Sequence, residues 1–175
     1  MNAAVSPEAR QAQQPVEAVE AIISPAQIQA IFDRAAQYAV DEDIDYAGGI
    51  PPQDAWALIN AGAAVLVDVR SSEERHFVGR VPVGGHVAWA TGLSLNRNPR
   101  FVKELDIKVK GQKDQPILLL CRSGKRSALA AEAAANAGFS RVYNILEGFE
   151  GELSDQQQRG TSDGWRHANL PWLQD

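Results

Sequence analysis

One short stretch of the sequence gathers the residue types needed for nucleophilic chemistry. Cys121 is the only cysteine, and Arg122, Lys125 and Arg126 follow it with no acidic residue among them. The thiolate is the reactive form of cysteine, and neighbouring cations stabilise it. The stretch therefore predicts an activated nucleophile in surroundings that suit a small anion.

The residues around Cys121 also predict how backbone groups contribute. An apolar run at 117–120 leads into Cys121, and the polar turn Arg122-Ser123-Gly124 leads into a helix. A thiol at the carboxyl end of a buried strand lies where open α/β sheets bind ligands, beside the positive end of the next helix. Because Gly124 can adopt conformations that other residues avoid, the turn can direct several amide N–H groups towards one point. Such a bowl of donors stabilises a thiolate, a persulfide or the sulfonate end of an incoming donor.

The elements that must position this stretch alternate between strands and helices. Apolar runs that are too short for helices predict buried strands at 65–70, 85–89, 116–121 and 141–145. Helical spacing and capping residues predict helices at 24–38, 51–62, 71–78, 99–105 and 125–137. Strands that alternate with helices indicate an α/β fold with a parallel sheet covered on both faces.

Several other polar features are given structural roles. Gly48-Gly49 is interpreted as a turn, and Glu73-Glu74 as solvated charges in the opening turn of a helix. His76, His86 and His167 are too dispersed to predict a metal cluster. No metal site and no cofactor are therefore predicted.

The order of these motifs resembles that of the single-domain rhodanese family. Val-Asp-Val-Arg at 67–70 precedes Cys-Arg-Ser-Gly-Lys-Arg-Ser at 121–127, which is followed by an Ala-rich helix and by Val-Tyr-Asn-Ile-Leu-Glu-Gly-Phe at 142–149. The resemblance extends from about Pro52 to Leu153. It departs from the family pattern at 79–86, where Gly-Arg-Val-Pro-Val-Gly-Gly-His replaces the usual Gly-His-Ile-Pro-Gly-Ala. The resemblance implies a three-layer α/β/α rhodanese-like fold with a central, mainly parallel sheet.

The same resemblance implies a sulfurtransferase without a cofactor. It moves sulfane sulfur from thiosulfate, or from a protein or low-molecular-weight persulfide, to a thiophilic acceptor such as cyanide or a thiol. The resemblance implies Cys121 as the catalytic residue that carries the persulfide. It implies substrate-binding roles for the loop residues Arg122, Ser123, Gly124, Lys125, Arg126 and Ser127. Asp68 and Arg70 are expected to support the loop, Arg70 chiefly through structural pairing, with direct substrate contact as the alternative.

Three other interpretations of Cys121 are weighed against this one. A buried filler thiol does not need a cationic turn that contains glycine. A cysteine phosphatase or arsenate reductase resembles Cys followed by five residues and then Arg, whereas Ser127 occupies that position here. A non-catalytic interaction module is expected to lose the cysteine. A domain that hands sulfur to one dedicated protein remains open, with the segment from Trp165 to Trp172 as a candidate contact.

Composition sets the expected partners and compartment. The formal net charge is −5 and the basic residues are scattered, so nucleic acid is not an expected partner. The sequence contains no apolar run of membrane-spanning length, and a single cysteine suits a reducing compartment. We expect a cytoplasmic monomer or weak homodimer that does not bind membranes.

Four segments are predicted along the chain. They are a disordered tail at 1–23, a helix and linker at 24–48, the rhodanese-like domain at 49–153, and an extension at 154–175. We expect the extension to fold back onto the domain and to bury its tryptophans, Trp165 and Trp172, because indole rings are large apolar surfaces.

Overall fold

The computed structural model describes residues 22–175, so nearly all of the tail predicted at 1–23 lies outside the described residues. The helices and strands follow the chain in the order α1 (Pro25–Asp41), β1 (Gly49–Ile50), α2 (Pro52–Asn60), β2 (Val65–Asp68), α3 (Ser72–Phe77), β3 (Gly85–His86), β4 (Ala90–Thr91), β5 (Asn96–Arg97), α4 (Phe101–Lys108), β6 (Ile117–Leu120), α5 (Lys125–Asn136) and β7 (Val142–Ile145).

Five of the strands form one parallel sheet in the order β1-β7-β6-β2-β3. β4 and β5 form a separate antiparallel pair. Every residue of β6 and β7 is buried, as expected for central strands covered on both faces. The predicted α/β fold with a central, mainly parallel sheet is confirmed.

Helices cover the two faces of the sheet and create two apolar clusters. Side chains alternate along a strand, so Ile117 and Leu119 of β6 face the cluster that includes α4 and α5. Leu118 and Leu120 face the opposite cluster, which includes α1 and α2. Cys121 continues the first series and therefore lies on the α5 side of the sheet.

Serine residues cap two of the helices, and the cap at Ser24 is the one that the sequence predicts. Ser24 begins α1 and Ser71 begins α3, each with its hydroxyl accepting a backbone N–H and with a Gln or Glu side chain returning to the cap amide. α1 continues three residues beyond the predicted end at Tyr38. α4 occupies 101–108 in place of the predicted 99–105.

The interpretation of Gly48-Gly49 as a turn is wrong for Gly49, which belongs to β1. Gly49 and Ile50 pair with Asn144 and Ile145 of β7. A Cβ atom at Gly49 would lie 2.6 Å from Leu146 Cδ2, so the close packing of this edge strand requires glycine. A strand of two residues carries too little apolar periodicity to be recognised in the sequence.

The predicted strand at 85–89 is shorter than expected. β3 ends at His86, although the amides of Val87 and Trp89 still donate to the carbonyl oxygens of Asp68 and Val69. The chain then leaves the sheet to form the antiparallel pair of β4 and β5.

The C-terminal segment contacts the domain through both tryptophans. Trp165 is fully buried, lies edge-on to Trp56 with ring centroids 5.8 Å apart, and donates from Nε1 to the Pro171 carbonyl. The expectation that both indoles are buried is wrong for Trp172, which is 39% exposed. Trp172 covers the backbone of Gly79, where a Cβ atom would lie 2.7 Å from its ring.

The end of the chain also pairs with the segment that departs from the family pattern. The backbone groups of Arg80 and Leu173 exchange two hydrogen bonds of 2.8 Å. The Arg80 side chain lies 2.8 Å from the carboxylate of Asp175. Within residues 22–175, no helix is both long enough and apolar enough to cross a bilayer.

Replacement of Trp165 by alanine tests how much the C-terminal segment stabilises the fold. We expect Trp165→Ala to lower the free energy of unfolding by about 3–5 kcal/mol, because it leaves a large cavity beside Trp56. Urea denaturation measures the loss. The control Leu129→Ala, at a 54% exposed position on α5, should change stability by less than about 0.5 kcal/mol.

Candidate active site

Cys121 follows the last residue of β6 and is 1% exposed. The chain turns sharply after it, and Gly124 adopts φ +89° and ψ −13° immediately before α5. This left-handed conformation strains other residues, which explains the glycine. It places the Gly124 amide 3.1 Å from Cys121 Sγ, where the N–H donates to sulfur.

Two buried polar side chains complete a closed ring of hydrogen bonds around the sulfur. Ser127 Oγ lies 3.0 Å from Cys121 Sγ and 2.6 Å from Asn144 Oδ1. Asn144 Nδ2 in turn donates to the Gly124 carbonyl at 3.1 Å. Ser127 is 0% and Asn144 4% exposed, so this ring is shielded from water. The ring fixes the loop conformation because it uses both the amide and the carbonyl of Gly124.

The turn after β7 makes backbone hydrogen bonds to the start of the loop. Phe149 N donates to the Cys121 carbonyl at 2.8 Å, and Glu150 N donates to the Arg122 carbonyl at 2.9 Å. A Cβ atom at Gly148 would lie 2.6 Å from both carbonyl oxygens, so only glycine allows this approach. The motif at 142–149 therefore holds the start of the loop in place.

Acidic side chains from other parts of the chain pair with two of the loop cations. Arg126 makes two hydrogen bonds of 2.7 and 2.6 Å to the carboxylate of Glu74, which belongs to α3. Lys125 Nζ lies 3.3 Å from the carboxylate of Glu152 at the surface. These acids are distant in sequence and reach the loop only through folding.

Arg122 differs from the other two loop cations. Its Nε is buried and has no hydrogen-bond partner within residues 22–175. The residue lines a cleft of about 260 Å³ whose walls include the apolar side chains of Phe77, Val78, Leu93 and Leu95. Arg122 is therefore the loop cation best placed to meet an anion that enters this cleft.

The Glu74 carboxylate is held in its charged form. Burial alone would raise its pKa, but hydrogen bonds from Arg126 and from the Ser71 backbone outweigh burial, so the pKa lies below the usual value. The hydrogen bonds to Glu74 likewise raise the pKa of Arg126. The interpretation of Glu74 as a solvated charge is therefore wrong, because this side chain joins α3 to the loop.

Asp68 and Arg70 form a buried pair beneath the site. Asp68 is 2% and Arg70 0% exposed, and the carboxylate accepts from Arg70 Nη2 at 2.7 Å and Nε at 3.0 Å. Arg70 Nη2 also donates to the Gly79 carbonyl, and the guanidinium carbon lies 4.1 Å from the Phe149 ring centroid. This geometry favours the structural role of Arg70 over direct contact with a substrate.

The structure brings the predicted residues together around one sulfur, but in different ways. Gly124 and Ser127 contact the sulfur, whereas Arg122, the residue after Cys121, lines the cleft. Lys125 and Arg126 are ion-paired, and Ser123 completes the turn between Arg122 and Gly124. Within residues 22–175, no group of three or more His, Cys, Asp or Glu side chains could hold a metal ion.

Asn144 and Glu74 are site residues that the sequence interpretation missed. Asn144 is a polar residue in the fully buried strand Val-Tyr-Asn-Ile, and that unusual position is the signal that could have identified it. Glu74 gives no comparable signal, because a first-turn glutamate also serves as an ordinary helix cap.

Known proteins resemble this chain in sequence and in fold. The family described as Rhodanese-like domain matches residues 51–154. The uncharacterized protein RP600 of Rickettsia prowazekii is 40% identical over 115 residues, which cover 66% of this chain and 87% of that protein. Thiosulfate sulfurtransferase GlpE of Stutzerimonas stutzeri is 35% identical over 101 residues, 58% of this chain and 80% of that protein. The crystal structure of Rv0390 from M. tuberculosis matches with a TM-score of 0.66 and 42% identity, and covers 74% of this chain and 99% of that one.

Replacement of Glu74 by glutamine tests the ion pair that anchors the loop to α3. A lowered carboxyl pKa stabilises the fold above the unfolded value near 4.5 and loses that effect as pH falls below it. Glu74→Gln should therefore lower stability at pH 7 by about 1–3 kcal/mol, and the difference from wild type should shrink below pH 4.5. Urea denaturation at several pH values measures this.

Glu73→Gln is the matched control because Glu73 lies in the same helical turn. It should change stability by less than about 0.5 kcal/mol at either pH. A Glu74→Gln effect that persists unchanged at acid pH would contradict the importance of the charged pair.

Proposed function

The chain belongs to the rhodanese-like domain family, and on that premise we propose that it is a sulfurtransferase that carries sulfane sulfur as a persulfide on Cys121. Two matches support the sulfurtransferase class, namely the family match and the similarity to the thiosulfate sulfurtransferase GlpE. One observation carries the finer proposal. The sulfur lies in a turn where the Gly124 amide and the Ser127 hydroxyl both reach it.

The first half-reaction loads Cys121. After its proton has passed to solvent, the thiolate attacks the outer sulfur of thiosulfate or of a persulfide donor, and a sulfur–sulfur bond forms. The bond within the donor breaks, and its electron pair leaves with sulfite or with the donor thiolate. The outer sulfur on Cys121 then carries the negative charge, and Arg122, the next residue in the sequence, supplies a cation.

The second half-reaction returns the enzyme to its starting state. A thiophilic acceptor attacks the outer sulfur, the bond to Cys121 breaks, and the electron pair remains on Cys121 as thiolate. The donor product leaves before the acceptor binds, so the mechanism predicts ping-pong kinetics. The Gly124 amide, which is already in position, stabilises the sulfur anion in both steps.

The surroundings of the cleft favour an organic thiol over cyanide as the acceptor. Phe77 is 70% and Leu93 89% exposed at its rim, and Leu95 also lines it. Apolar side chains at an entrance contact the carbon framework of a substrate and offer nothing to a small inorganic anion. A reducing compartment keeps such an acceptor thiol in its reduced form.

Intact-mass measurement after incubation with thiosulfate tests the persulfide directly. We expect the mass to increase by one sulfur atom, because Cys121 is the only cysteine of the sequence. Cyanide should remove the added mass. Cys121→Ser is the control and should gain no mass under the same conditions. Wild-type protein that turns over thiosulfate without a sulfur adduct would contradict the covalent mechanism.

Replacement of Arg122 by glutamine tests recognition of the donor anion. We expect KM for thiosulfate to rise about tenfold with little change in kcat, because a charge-assisted hydrogen bond to the donor is lost. Steady-state kinetics measures both constants. Arg34→Gln removes the same charge from α1, where the side chain is 61% exposed, and should leave both constants unchanged. A fall in kcat alone would contradict the binding role.

A further inference from the structure

The hydrogen bonds around Cys121 fix the orientation of the Asn144 side-chain amide. Nδ2 donates to the Gly124 carbonyl at 3.1 Å, so Oδ1 is the amide atom that faces Ser127. A carbonyl oxygen can only accept a hydrogen bond. The contact of 2.6 Å between Ser127 Oγ and Asn144 Oδ1 therefore requires the proton of the serine hydroxyl.

The same hydroxyl lies 3.0 Å from Cys121 Sγ, and it has only one proton to donate. When Cys121 is a thiol, its S–H can donate to Ser127 Oγ while the hydroxyl donates to Asn144, and every group is satisfied. When Cys121 is a thiolate, sulfur becomes an acceptor and keeps the Gly124 N–H, but the single hydroxyl proton of Ser127 cannot serve both the sulfur and Asn144. A buried acceptor that loses a hydrogen bond is costly.

We propose that Asn144 is a positioning residue that competes with the Cys121 thiolate for the Ser127 proton and so limits ionisation of the empty site. Gly124 N–H and the loop cations act in the opposite direction, because they stabilise the thiolate. The proton lost from Cys121 goes to solvent, since neither Ser127 nor Asn144 can accept it. The next step rests on the proposed function. In the persulfide, the charge lies on the outer sulfur, so the Ser127 hydroxyl can donate to Asn144 again. The competition for this proton therefore disfavours the thiolate of the sulfur-free enzyme and does not disfavour the persulfide.

Charged and titratable groups from several elements surround the ring. Tyr46 lies near Asn144, and its pKa is raised, first by burial, so it remains a neutral phenol. The remaining groups are Arg122, Lys125 and Arg126 of the loop and α5, Glu74 of α3, Asp68 and Arg70 at the end of β2, and Glu147 after β7. A substitution of Asn144 by an apolar residue changes none of these charges.

Titration of Asn144→Leu tests the proposal. Cys121 is the only cysteine, so the ultraviolet absorbance of the thiolate, taken as the difference from Cys121→Ser in each background, reports this one site. We expect the midpoint of thiolate formation to fall by about 0.7 pH unit, a fivefold rise in the ratio of thiolate to thiol, because one competing hydrogen bond is removed. Loss of support for the Gly124 carbonyl alone would instead raise the midpoint.

The Ser127→Ala background separates competition from a structural effect. If Asn144 acts through the Ser127 hydroxyl, Asn144→Leu should not move the midpoint in that background. The control Tyr143→Phe alters the neighbouring residue of β7, whose side chain packs in the opposite cluster, and should leave the midpoint unchanged. An equal shift with and without the hydroxyl, or no shift in either background, overturns the proposal.

Infrared spectroscopy gives a second measurement that does not require substitution of Asn144. At a pH where Cys121 is a thiol, the S–H stretch of wild type should have the lower frequency of a hydrogen-bond donor. It should move to the free-thiol frequency in Ser127→Ala. An S–H band that is identical in the two proteins overturns the proposal. Neither measurement requires sulfur transfer, so failure of the proposed function would not be mistaken for failure of this inference.

Discussion

The left-handed turn at Gly124 is the constraint on which the rest of the site depends. It directs an amide towards Cys121 Sγ at the same point where α5 begins, and its carbonyl receives the side chain of Asn144. β6 and β7 supply the two ends of this arrangement, since Cys121 follows one strand and Asn144 belongs to the other. The parallel pairing of these strands places both residues at the same edge of the sheet. The position of the sulfur is thus a consequence of sheet register.

Beneath and beside the turn, charges are arranged in two pairs with different exposure. Asp68 and Arg70 are fully enclosed and join the end of β2 to the segment after α3 through the Gly79 carbonyl. Arg126 and Glu74 are partly exposed and join α5 to α3. Removal of one partner from a buried pair leaves an uncompensated charge, so such pairs make the arrangement of elements specific. α3 has no buried residue of its own, and these polar links compensate for its lack of apolar contacts.

Part of the site can be predicted from the sequence, and individual residues show why. The run at 117–120 predicts a buried strand, and the order of cysteine, cations and glycine after it predicts the loop, because both signals are local. The pairing of Arg126 with Glu74 is not local and depends on how α3 packs beside α5. The strand at Gly49 is also not predictable, since two residues show no periodicity and the crowding at Gly49 comes from Leu146 and Tyr38 in the folded chain. Local chemistry was therefore predictable, whereas contacts between distant elements required the fold.

The burial of Cys121 has a consequence for the sulfur atom that it is proposed to carry. At 1% exposure, and with no second sulfhydryl in the 175 residues, the sulfur cannot be discharged into an internal disulfide. On the proposed function, a persulfide on Cys121 would be discharged by acceptors outside the chain, so its lifetime would shorten in proportion to their concentration. The proposed enzyme would then store sulfur and release it at a rate set by the acceptor concentration around it.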